Sequence, residues 1–130
     1  MEIKRGSNHN PDASRYCYDK GRCSPSMGWA QVDTGQDASY FGTWTNPETL
    51  EIFSYTEGDT THEAAANPEE YCAALRHVKT WNEERGHGFG GIDPMGNART
   101  LERIVSLGLV DLLHQFDLDR LENDTEPVAA

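Results

Sequence analysis

No lysine or arginine occurs between Cys23 and Leu75 of this 130-residue chain, although the same stretch carries nine acids: Asp33, Asp37, Glu48, Glu51, Glu57, Asp59, Glu63, Glu69 and Glu70. Charged surfaces normally mix both signs, because a field of one sign repels itself. Residues 1–22 hold five bases and three acids, and residues 76–130 hold six bases and ten acids, so the middle alone contributes −9 to a net charge of −11. Direct binding to DNA, RNA or an anionic membrane is disfavoured on that ground, since each phosphate would be approached against the protein's own field. The imbalance favours a basic, nucleic-acid-binding protein as partner, with steered association between opposite charges. The competing explanation is that the acids only keep a small protein soluble.

Cysteine is scarce as well. Cys17, Cys23 and Cys72 make an odd count that fits no complete disulfide framework. No apolar stretch follows Met1–Ser7 and no run approaches the length of a membrane span, which points to a cytoplasmic protein. Asn123-Asp124-Thr125 matches the glycosylation sequon, a match without weight in that compartment.

Nucleophile motifs are missing too: there is no G-x-S-x-G, no H-E-x-x-H and no cysteine in a protease-type signature. Structural zinc sites place paired ligands two to four residues apart, but five residues separate Cys17 from Cys23. Cys72 and His77, five apart, do not share a helix face. No metal and no cofactor are therefore expected, and Cys72 reads as a buried free thiol on the first helix. Gly86, Gly88 and Gly91 satisfy G-x-G-x-x-G, yet the triplet closes a helix instead of following a strand and opening one. Its expected roles are helix termination and an inter-helix loop, with His87 and Phe89 as a contact tip.

What the chain does contain is enough for one core. Trp29, Tyr40, Phe41, Trp44, Phe53 and Trp81 argue for a folded domain over 27–118, flanked by an irregular arm at 1–26 and an acidic flexible tail at 119–130. From 28 to 64 the residues turn β-branched and aromatic between turns at Thr34-Gly35-Gln36, Asn46-Pro47-Glu48 and Glu57-Gly58-Asp59. That pattern predicts an antiparallel meander of about four strands. Ile52 and Phe53 point to opposite faces, so both faces of that strand are partly apolar.

Asn67-Pro68-Glu69-Glu70 places a cap, a first-turn proline and a glutamate three residues after the cap, predicting a helix over 67–86 along which Tyr71, Leu75, Val78 and Trp81 repeat as its apolar face. Leu101, Ile104, Val105, Leu109, Leu112, Leu113 and Phe116 continue one apolar stripe, which predicts a second helix over 97–116 with Gly108 as its weak point. The two helices packed on the meander make an α+β fold.

This acidic α+β chain, with Gly88-Phe89-Gly90-Gly91-Ile92 after a glutamate-rich helix, resembles the phage- and plasmid-encoded anti-defence inhibitors: antirestriction DNA mimics and acidic anti-CRISPR proteins. The resemblance implies an inhibitor in the cytoplasm of a bacterial host cell, whose carboxylates stand in for DNA phosphates in a restriction enzyme or CRISPR effector. The nine acids of the base-free stretch are the expected partner-binding residues. Same-face carboxylates on helices and strands lie roughly 5 to 7 Å apart, close to the spacing of phosphates along a strand. The alternative is a small enzyme or ligand-binding domain with a site where His62 and Asp59 meet His87 and the 86–96 loop. A third reading, a plain interaction subunit, would use the apolar stripe of the second helix.

Overall fold

The computed structural model describes residues 2–7, 25–35, 42–56, 59–115 and 117–119. Among the described residues six strands, β1 (Glu2–Ser7), β2 (Ala30–Asp33), β3 (Gly42–Asn46), β4 (Glu51–Thr56), β5 (Asp59–Ala64) and β6 (Gly91–Asp93), form one antiparallel sheet in the order β1-β5-β4-β3-β2-β6. Among the described residues, the helices α1 (Pro68–Glu84) and α2 (Ala98–Ser106) join this sheet in an α+β fold. Strands β2 to β5 are the expected meander.

The sheet is wider than the sequence suggested at both edges. Glu2–Ser7, expected to be irregular, is a strand registered Ile3 to Glu63 and Lys4 to His62. Gly91–Asp93, expected to be loop, pairs with β2, Ile92 opposite Val32. Residues 8–24 of the expected arm and 120–130 of the expected tail lie outside the described residues.

Ala30, Val32, Ile52, Tyr71, Leu75, Ile92, Ile104, Leu109, Leu112 and Leu113 form the core between one sheet face and the helices. Phe53, on the other face of β4, is also fully buried, as the double apolar pattern of that strand requires.

Helix α1 begins as its sequence dictates. The Asn67 side chain accepts from the backbone N–H of Glu70 at 2.9 Å, Pro68 needs no N–H partner, and Glu69 and Glu70 face the positive end of the helix dipole. Asn67→Ala removes that acceptor and should cost about 1 kcal/mol, read as a shifted denaturation midpoint with an unchanged slope.

The second helix is shorter than the apolar stripe predicts. It stops at Ser106, and Val110–Leu112 follow as a single 3-10 turn. Gly108 takes φ +76°, its N–H donates to Val105 O at 3.0 Å, and the N–H of Leu109 donates to Ile104 O at 3.2 Å. These two bonds are a Schellman ending, sealed by the buried side chains of Ile104 and Leu109. Leu109, Leu112 and Leu113 still reach the core, along a path that has turned.

Arg76 on α1 holds Asp111 through two hydrogen bonds of 2.6 and 3.1 Å, tying the turn after α2 to α1. The guanidinium pulls the Asp111 carboxyl below its usual range and the carboxylate raises Arg76 in return. The pair's stabilisation is present above the ordinary carboxylate pKa and lost as acidification protonates Asp111. Both groups face solvent, so it is screened to less than about 1 kcal/mol.

Candidate carboxylate interface

Topology sorts the described acids of the base-free stretch toward the two ends of the sheet. At one end β3 finishes at Asn46, β4 begins at Glu51 and β5 finishes at Ala64, directly opposite Glu51. The N–H of Ala65 donates to Leu50 O, and Asn67 opens α1 close by. Glu48, Glu51, Glu63, Glu69 and Glu70 are thereby collected at this end. Glu51 and Glu63 occupy opposite faces, because Glu63 is registered with Ile52, so the five form a rim and not a flat patch.

The turn that carries Glu48 is built by Asn46. Its Oδ1 accepts from the N–H of Glu48 at 3.0 Å and of Thr49 at 3.2 Å, the Asx geometry expected of Asn-Pro. Arg99, at the start of α2, grips Glu48 with an Nε to Oε1 distance of 2.7 Å. The Arg99 side chain is 80% exposed, so the ion pair exchanges readily with solvent or with another cation. Arg103 donates from Nε to Pro47 O at 3.2 Å. Glu51 accepts His62 Nε2 at 2.6 Å. The sequence contained all these residues but no sign that cations from the C-terminal region return to this rim.

Asp33 lies at the opposite end of the sheet. Its Oδ1 accepts from the N–H of Gly35 at 3.2 Å and its Oδ2 lies 3.8 Å from His114 Nε2. Asp59 is registered with Thr56 and Ser7 at that same end. Asp37 and Glu57 fall outside the described residues.

The residues of the alternative enzyme site are not brought together. His62 sits on β5 and the glycine segment on β6, four strand spacings or about 19 Å apart. Gly86 closes α1, while Gly91 opens a strand where a dinucleotide fingerprint would open a helix. Within the expected contact tip, His87 is exposed and stacks on Trp81 at 6.3 Å between ring centroids, with the Arg85 guanidinium 3.9 Å from the same ring, so Trp81, expected on the buried face of α1, is instead an exposed side chain near the helix end. Phe89 instead packs against the core.

Cys72 is half-buried, with Sγ 3.5 Å from Leu107 O. Among the described residues no three His, Cys, Asp or Glu side chains form a cluster able to hold a metal, and no helix is long and apolar enough to cross a membrane. Neither a family model, nor a curated protein, nor a solved structure matches this chain.

Proposed function

We propose that the chain is a binding protein that inhibits a bacterial nucleic-acid-binding defence complex, a restriction enzyme or CRISPR effector, by placing its carboxylate rim in the cationic DNA channel. The observation that carries this reading is the collection of Glu48, Glu51, Glu63, Glu69 and Glu70 at one end of the sheet, from a stretch that contains no lysine or arginine. The Arg99 to Glu48 pair does not oppose it, because an exposed ion pair contributes at most about 1 kcal/mol and a partner's arginine can replace Arg99.

The test is the fourfold amide variant Glu48→Gln, Glu63→Gln, Glu69→Gln and Glu70→Gln, which keeps shape and removes charge. Competition with duplex DNA for a restriction enzyme and for a CRISPR effector is the measurement. Loss of two or more orders of magnitude in apparent affinity is expected, with a much flatter dependence on salt. Inhibition that survives the swap, in protein with an unchanged melting temperature, rules the reading out.

A further inference from the structure

The end of the sheet that carries the acidic rim also exposes two methionines. Met27 is 58% exposed in the 3-10 turn Pro25–Met27 before β2, and Met95 is 42% exposed in the turn after β6. The register of β2 with β3 and of β6 with β2 sets both turns beside the end of β3, next to Glu48.

Hydrogen bonds stitch these pieces into one surface. Asn97 Nδ2 donates to Pro25 O at 2.7 Å, Asn46 Nδ2 donates to Met27 O at 3.1 Å, and Asn46 Oδ1 holds the Glu48 turn. Arg99, two residues beyond Asn97, closes the circuit onto Glu48.

Met95 is held against its own preference. The N–H of Asn97 donates to Pro94 O at 3.1 Å around Met95 at φ +57° and Gly96 at φ +81°. Two successive positive φ angles define a type I′ turn, whose first central position favours Asn, Asp or Gly. A non-glycine side chain in left-handed backbone costs stability through strain, and such strain concentrates where a side chain is used.

We propose that Met27 and Met95 form the apolar half of a two-part contact surface, with the carboxylate rim as the other half, and that its occupant is an amphipathic basic helix of the partner protein. Charge complementarity selects the occupant: lysines and arginines on one face meet Glu48, Glu63, Glu69 and Glu70, and the apolar face covers the methionines. Methionine suits this task, because its unbranched, polarisable side chain adapts to different apolar partners. The inference rests on the rim being a partner surface and specifies what the rim's neighbour adds.

The test uses a synthetic Leu/Lys helix of about 18 residues with leucine at i, i+3, i+4 and i+7, and a scrambled peptide of equal composition without an apolar face. Binding is followed by fluorescence anisotropy at low and high salt. Wild type should hold the amphipathic helix about tenfold more tightly than the scrambled peptide at high salt, where charge is screened. The double variant Met27→Ser, Met95→Asn should lose that preference and keep the low-salt affinity for the scrambled peptide. Met95→Asn alone should raise the melting temperature by a few degrees as the turn relaxes.

Equal high-salt affinity of wild type for the two peptides, or a double variant that keeps the preference, overturns the methionine assignment and leaves the rim reading standing. The fourfold amide variant separates the two: it should weaken both peptides at low salt. If it weakens neither, the rim reading fails and this inference fails with it.

Discussion

Gly91→Ala should destabilise the fold by roughly 3 kcal/mol or more, a drop in melting temperature on the order of 10 °C, although it adds a single methyl group. A Cβ at this position would overlap His114 Cα and stand 2.5 Å from His114 N and 2.7 Å from the Leu113 carbonyl carbon. All three atoms are backbone, so no rotamer change relieves the clash. The residue also takes φ +118°, a region closed to L side chains.

The backbone it meets holds the open edge of β6. The N–H of His114 donates to Ile92 O at 3.0 Å, and Leu113 bridges Ile92 in parallel. Pushing 113–114 away would break that edge and draw Leu112 and Leu113 out of the core. Gly88→Ala is the control: Gly88 has φ +83° and a methyl group there would meet nothing within 4 Å, so the variant should lose only about 1 kcal/mol through backbone strain. Chemical denaturation of both variants decides the matter, and equal midpoints would contradict the steric account.

Local chemistry explains which elements could be read in advance. The start of α1 was legible because capping involves only consecutive residues, Asn67 to Glu70, whose roles do not depend on the rest of the fold. The meander was legible because its turns carry Gly, Asn and Pro between β-branched runs. Strand β1 was not: Glu2–Ser7 is bonded to β5 at the sheet edge and mixes Glu, Lys, Arg and Gly without alternation. Strand β6 has three residues and begins at a glycine, too few to show a period. The overlong second helix has a different cause. Leu109, Leu112 and Leu113 face the same core as Ile104, so apolar spacing continued where backbone geometry changed at Gly108.

The candidate interface was legible as composition and illegible as geometry. The deficit of bases identified the acids, but only strand register separates Glu48, Glu51 and Glu63 at one end from Asp33 and Asp59 at the other. Arg99 and Arg103 reach the rim from more than 30 positions beyond Glu63, a contact that no local pattern encodes. Met27 and Met95 gave no signal at all, since an exposed methionine and a core methionine look alike in sequence.

A buried side chain helps fasten the rim to the core, and Tyr71→Ala should cost about 4 kcal/mol through the lost ring and its hydrogen bond. Tyr71 is fully buried, and its hydroxyl lies 2.5 Å from Thr45 Oγ1, while Thr45 Oγ1 donates to Glu51 O at 2.8 Å. Thr45 has one hydrogen and gives it to Glu51, so the Tyr71 hydroxyl donates to Thr45. This relay fastens the first turn of α1, with Glu69 and Glu70, to the strand ends that carry Glu48 and Glu51.

Tyr71→Phe keeps the ring and removes the donor, at a cost of about 1 kcal/mol, and the pair Tyr71→Phe, Thr45→Val should lose less than the sum of its members. Burial also raises the ionisation of Tyr71 well above its ordinary value. Above about pH 10 tyrosines ionise in the unfolded chain while Tyr71 stays neutral in the folded one, so stability is full below that pH and falls as alkalinity rises. Tyr71→Phe should flatten that alkaline decline relative to wild type. An unchanged slope between pH 9 and pH 11, on the order of the ordinary tyrosine range, would show that the hydroxyl is not shut away from solvent in the folded chain.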